Sequence, residues 1–171
     1  MTWCGEMDRR IFLGVGALGL GVAGTAYFLI SSDEDEIRAL LTRAARAVSL
    51  PAERGNPAFF ALGMKGELKE ILAPGARVTA PELGERGASV DDLVGAAMQY
   101  GEAYRSTSVG FASVSFTRLE KQSATIDAEV TLEAVGGAGD VRRDRRHATI
   151  EVTKADGDWK IASVLVGPRL D

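Results

Sequence analysis

Cysteine is nearly absent. Cys4 is the only one in 171 residues, so no intramolecular disulfide can form and redox chemistry says little about the compartment. It precedes the apolar stretch that follows, whereas a bacterial lipoprotein cysteine would come after one, so it reads as a free thiol. Histidine is equally scarce, with His147 alone. Without a second histidine, or a cysteine beyond position 4, zinc has no ligand set, and no metal or cofactor is expected. An excess of positive charge is also missing: 20 Lys and Arg face 24 Asp and Glu, for a net charge of -4. That balance lacks the basic footprint of a nucleic-acid binder. There is no internal repeat, low-complexity stretch or long linker, and no coherent catalytic constellation. The sequence therefore speaks more of location and fold than of chemistry.

What is present begins with Asp8 to Gly24, which holds paired arginines, a G-x-G-x-x-G at Gly14, Gly16 and Gly19, and the start of a long apolar run. A dinucleotide loop would need a following helix with a polar face. Between Ile11 and Ile30 only Thr25 and Tyr27 carry polar groups, and no alternating strand and helix units follow. The run instead has the length of a membrane span, about 20 residues covering about 30 Å. Tyr27 and Phe28 suit an interfacial belt. Ala17, Gly21 and Thr25 recur at four-residue intervals, which would let another helix approach, although a plain glycine-rich anchor accounts for them as well.

Arg9-Arg10-Ile11-Phe12-Leu13 resembles a twin-arginine export signal. Glu6, Asp8 and Gly14 depart from that pattern, and the alternative is that Arg9 and Arg10 only flank a span. Gly24-Thr25-Ala26 is a poor cleavage site, so an uncleaved anchor is expected. The organisation read is a tail over 1–10, a transmembrane anchor or uncleaved signal over 11–30, and one domain over 31–171. The arginines nearest the span place the tail inside and the C-terminal domain on the periplasmic or extracytoplasmic side.

The domain opens with a helix capped by Ser32 or Asp33, with Ile37, Leu40, Leu41, Ala44 and Val48 on its core side and Pro51 ending it. Phe59 to Leu72 predicts a second helix, broken at Gly63 or Gly66 and stopped by Pro74-Gly75. Ala76 to Ala80 predicts a short edge strand, and Glu82 to Gly87 a loop. Ser89-Val90-Asp91-Asp92 is a capping box before a third helix, whose buried face takes Leu93, Val94, Ala97, Tyr100 and Tyr104.

From Thr107 the period becomes two. Ala112, Val114 and Phe116 form one face, followed by Ala124, Ile126, Ala128, Val130 and Leu132, then by Ala148, Ile150 and Val152. Asp156-Gly157 predicts a hairpin turn before the last strand, Trp159 to Val166. That strand is apolar on both sides, so it is central or meets a partner. The whole reads as an α+β protein with an N-terminal transmembrane helix, then about three helices packed on a curved, mainly antiparallel sheet.

This order, with the capped Ser89 to Tyr104 helix and the ending His147-Ala-Thr-Ile-Glu-Val-Thr-Lys-Ala-Asp-Gly-Asp-Trp-Lys-Ile161, resembles the nuclear-transport-factor-like superfamily. The likeness spans most of Asp33 to Pro168. It implies the cone-shaped fold shared with ketosteroid isomerases and polyketide cyclases, and a homodimer through the sheet. It does not fix function, since such cones serve as enzymes, binding pockets and adaptors.

Tyr100, Tyr104, Phe116 and Trp159 are the candidates for a pocket lining, although tyrosines one helical turn apart are commonly core aromatics. Asp91 has a sufficient role in a first helical turn. Asp127 and Glu129 share the polar face of their strand, and so does His147, beside Arg142, Arg143, Arg145 and Arg146. These four arginines follow the glycines at 136, 137 and 139. They read as a contact for an anionic partner or lipid headgroups, or as a solvated strand end neutralised by Asp140, Asp144 and Glu151. The expected function is a membrane-anchored extracytoplasmic binding or scaffold module whose partner is a membrane protein or a second copy. The alternative is a small cofactor-independent isomerase, cyclase or hydrolase-like enzyme with an apolar pocket.

Overall fold

The computed structural model describes residues 33–53, 55–81, 83 and 87–170. Cys4, Arg9, Arg10 and the anchor expected over 11–30 lie outside them, as does most of the loop expected over 82–87. Among the described residues no helix is long and apolar enough to cross a membrane.

Three helices precede a run of long strands. Helix α1 covers residues 33–48 and buries Ile37, Leu40, Leu41 and Ala45, one side of a 3.6-residue period. Helix α2, Pro57–Ile71, is started by Asn56, whose side-chain oxygen accepts from the Ala58 N–H at 2.9 Å, with Pro57 in the first turn. It buries Met64, Leu68 and Ile71.

The break expected at Gly63 or Gly66 does not occur, and α2 runs through both. Each glycine costs a helix about 1 kcal/mol. Three buried large side chains at roughly 1.5–3 kcal/mol each outweigh that.

The stop at Pro74-Gly75 is also displaced. The helix ends at Ile71, and Leu72–Thr79 is strand β1, with Gly75 at φ 79 where its register with the last strand shifts. An edge strand at an irregularity tolerates proline because no ladder hydrogen bond is lost there.

Helix α3, Val90–Ala103, has the expected capping box: Ser89 Oγ accepts from the Asp92 N–H, and Asp92 Oδ2 accepts from the Ser89 N–H at 2.9 Å. Its buried face is a correction, since none of its residues is fully buried. Leu93, Val94 and Ala97 are half-buried and Tyr100 is 44% exposed. The helix packs chiefly on α2, with Lys65 Nζ 2.6 Å from Asp91 Oδ1, so the sheet does not seal its apolar side.

The sheet is completed by β2 (Ser106–Leu119), β3 (Ser123–Val135), β4 (Val141–Ala155) and β5 (Asp158–Arg169), in the order β1-β5-β4-β3-β2. All neighbours are antiparallel except β1 and β5. The result is the expected α+β architecture of three helices on a curved, mainly antiparallel sheet.

Ala124, Ile126 and Ala128 of β3 lie across from Val152, Ile150 and Ala148 of β4, and all six are buried. On β2 the predicted face is out of phase in part. Ala112 is exposed while Phe111, Val114 and Phe116 are half-buried. The register with β3 shifts between Ala112 and Ser115, around Ser113 at φ 51, and this inserted residue inverts the alternation.

Asp156 and Gly157, at φ 54 and 93, make the hairpin turn into β5. β5 is an interior strand, with Trp159 and Ile161 buried and Leu165 57% exposed on the outer face.

Candidate functional site: an apolar groove at the end of the sheet

After α1 the chain is tied to the start of β2. The Leu50 N–H donates to the Thr107 carbonyl at 2.8 Å, Thr107 returns the bond at 2.9 Å, and Ser49 Oγ accepts from the Val109 N–H. α2 then starts from Asn56 and runs back past this junction. Between the last turns of α1, residues 49–51, the first half of α2 and the adjoining ends of β2 and β3 lies a groove of about 1010 Å³. Its apolar surface includes Leu50, Phe59, Phe60, Met64 and Val135. Phe59 is 75% exposed on the rim, and Leu62, one turn further on, is 67% exposed.

Phe59 and Phe60 are adjacent on a helix and point about 100° apart. One turns toward the core and the other cannot. Gly63, also in the lining, has nothing within 4 Å of where a Cβ would stand.

Four charged side chains border the groove: Arg43, Arg46, Glu67 and Glu133. Arg43 Nε is 2.9 Å from Glu67 Oε2, joining α1 to α2 across the groove. Glu133 is held at 2.7 Å by Arg143 of the neighbouring strand. The Arg46 side chain makes no hydrogen bond or ion pair among the described residues.

The four aromatic residues expected to line a pocket are not gathered around this groove. Tyr100 and Tyr104 stack with ring centroids 5.9 Å apart, and Arg142 Nη1 donates to the Tyr104 hydroxyl at 3.1 Å. Phe116 packs against the core under the Arg38 guanidinium, 5.2 Å from its ring centre. Trp159 is 5% exposed, with Lys154 Nζ 5.3 Å from its ring centre. Arg142 and Lys154, which mark the positions of Tyr104 and Trp159, are separated along β4 by about 40 Å of extended chain.

The arginine run is divided by the alternation of β4. Arg142 and Arg146 share the parity of buried Ala148, Ile150 and Val152, whereas Arg143 and Arg145 share that of exposed His147. Arg146 Nη2 and Arg169 Nε lie 2.8 and 3.0 Å from the two oxygens of Asp144, whose side chain is 13% exposed. Hydrogen bonds from these two guanidinium groups hold the Asp144 carboxyl down at about 2. On the outer face Arg143 pairs with Glu133, and Arg145 lies 3.7 Å from Glu129.

His147 is exposed across from Glu129, and Asp127 accepts from the Thr149 hydroxyl at 2.9 Å. No group of three or more metal-ligating side chains occurs among the described residues.

No family model matches the chain, and no curated protein is similar to it in sequence. Solved structures are similar in fold. A protein from Kribbella flavida is 16% identical with a TM-score of 0.62, over 82% of this chain and 95% of that one. A type 2 hexachlorocyclohexane dehydrochlorinase is 14% identical with a TM-score of 0.61, over 82% and 90%. A nuclear transport factor 2-like superfamily protein from Salmonella enterica is 13% identical with a TM-score of 0.59, over 82% and 94%. The fold is thus the nuclear-transport-factor-2-like one.

Sequence reasoning missed the groove because it is assembled from a helix end, a turn and two strand ends far apart in the chain. Its one local signal is the Phe59-Phe60 pair followed by Gly63 and Gly66, which leaves α2 with an aromatic and no bulk on one side.

Proposed function

We propose that this protein is a binding module rather than a catalyst, and that it takes an apolar ligand in the groove between α1 and α2. It would be held at a membrane by residues 11–30, with residues 31–171 on the extracytoplasmic side. The observation that carries this reading is Phe59, a large aromatic left in water on the rim of a concave apolar surface, as ligand sites are built.

The chemistry around the groove supports binding over catalysis. A general base needs a carboxylate or histidine free to take a proton. Glu67 and Glu133 are each engaged by an arginine, Asp144 is locked between two, and His147 lies on the outer face. On this reading the four arginines of β4 act within the domain, Arg142 on Tyr104 and the other three on carboxylates of the sheet, and their replacement leaves membrane recruitment unchanged.

The test is photolabelling of the full chain in isolated membranes with a diazirine-bearing long-chain alcohol, an uncharged apolar probe. We expect labelled peptides from residues 43–51 and 57–67, and at least a fivefold loss of that labelling in Gly63→Trp, which fills the groove from an open position. Labelling there that is absent, or indifferent to the tryptophan, overturns the reading.

A further inference from the structure

We propose that the ligand of this groove is a single-chain amphiphile with a carboxylate head, a free long-chain fatty acid, its head against Arg46 and its chain along Phe59, Phe60 and Met64. This rests on reading the groove as the binding site. Two of the four charges on its border are cancelled within the groove, Arg43 by Glu67, and a third, Glu133, is cancelled by Arg143 from outside it. One full positive charge, on Arg46, is left.

The hydroxyls of Ser106 and Ser108 also belong to the lining and make no side-chain hydrogen bond among the described residues. A guanidinium with free donors and two free hydroxyls, where residues 49–50 tie α1 to β2, form the donor set that a carboxylate accepts from. The remaining surface, Leu50, Phe59, Phe60, Met64 and Val135, offers a hydrocarbon chain contact and no polar partner. One uncompensated cation matches one negative charge, and a groove of about 1010 Å³ is at the upper end of small-molecule sites, roughly 300–1,000 Å³.

The experiment uses the full chain in isolated membranes, with a diazirine-bearing palmitate as probe and unlabelled palmitate or uncharged hexadecanol as competitor. We expect labelling of the groove peptides that palmitate suppresses at least tenfold more effectively than hexadecanol. Arg46→Gln should abolish that preference and Arg46→Lys retain most of it, with thermal unfolding unchanged in both.

Equal competition by the acid and the alcohol, with groove labelling still lost in Gly63→Trp, overturns the carboxylate assignment and leaves the groove as an apolar site. Equal labelling by a diazirine-bearing phosphatidylglycerol shows that a bilayer lipid is the occupant and overturns the single-chain assignment. Palmitate labelling that ignores Gly63→Trp removes the groove itself.

Discussion

Asp144 receives hydrogen bonds from both Arg146 and Arg169, and its carboxyl is correspondingly held at about 2. A depressed native pKa contributes stability that is complete above the unfolded value, about 3.9, and is lost as pH falls through the native one. Asp144→Asn should therefore cost about 1–2 kcal/mol at pH 7. The gap should narrow between pH 4 and pH 2, where the parent protein loses what the variant never had. Urea unfolding of both proteins at pH 7 and pH 2.5 checks this; a constant gap would mean that Asp144 acts through packing. The same residue shows what the spacing of the arginine run leaves open between its two readings. Spacing shows four cations close together, but not that alternate ones turn to opposite faces or that Arg169 arrives from the next strand.

The β2 strand carries a local exception, Ser113 at φ 51, that inverts the alternation as far as Phe116, where the register with β3 shifts a second time. An L-residue there is strained and glycine is not. Ser113→Gly should be neutral or stabilising by up to about 1 kcal/mol, and Ser113→Val destabilising by more than that. Chemical denaturation of the two variants gives the comparison, and equal effects would show that the bulge is not fixed by this residue.

Gly66 of α2 has nothing within 4 Å of a would-be Cβ. Gly66→Ala should raise the midpoint of thermal unfolding, by about 0.5–1 kcal/mol of helix stability. A strict two-residue or 3.6-residue period was legible wherever an element is regular, as in Ala124 to Ala128, Ala148 to Val152 and Ile37 to Leu41. It failed where one residue is inserted, as at Ser113, or where tertiary burial overrides a breaker, as at Gly63 and Gly66. For α3 the period marked the correct side, but no sequence pattern states how far a neighbour covers that side, and here α2 covers it in part.

For the molecule as a whole, the proposed placement at a membrane is tested by fusing alkaline phosphatase or green fluorescent protein to the C-terminus. Phosphatase activity without fluorescence is expected, and the reverse would put the domain in the cytoplasm.

The outer face of the sheet is built of cross-strand polar pairs, Arg143 with Glu133, Thr149 with Asp127 and Ser163 with Glu151. Exposed Leu165 lies among them, with Val141 at the start of β4. A dimer through that face would have little apolar surface to bury. Leu165→Glu should accordingly leave the mass seen by sedimentation unchanged.

Both rims of the sheet share a further property. On β2 the Thr107 and Val109 amides are already occupied by Leu50 and Ser49, and Arg38 Nη2 reaches the Val114 carbonyl. On β1 the chain is interrupted by Pro74 and the turn at Gly75. A foreign strand seeking a ladder of main-chain groups finds neither rim continuous. These blunted rims are a safeguard against copies polymerising edge to edge.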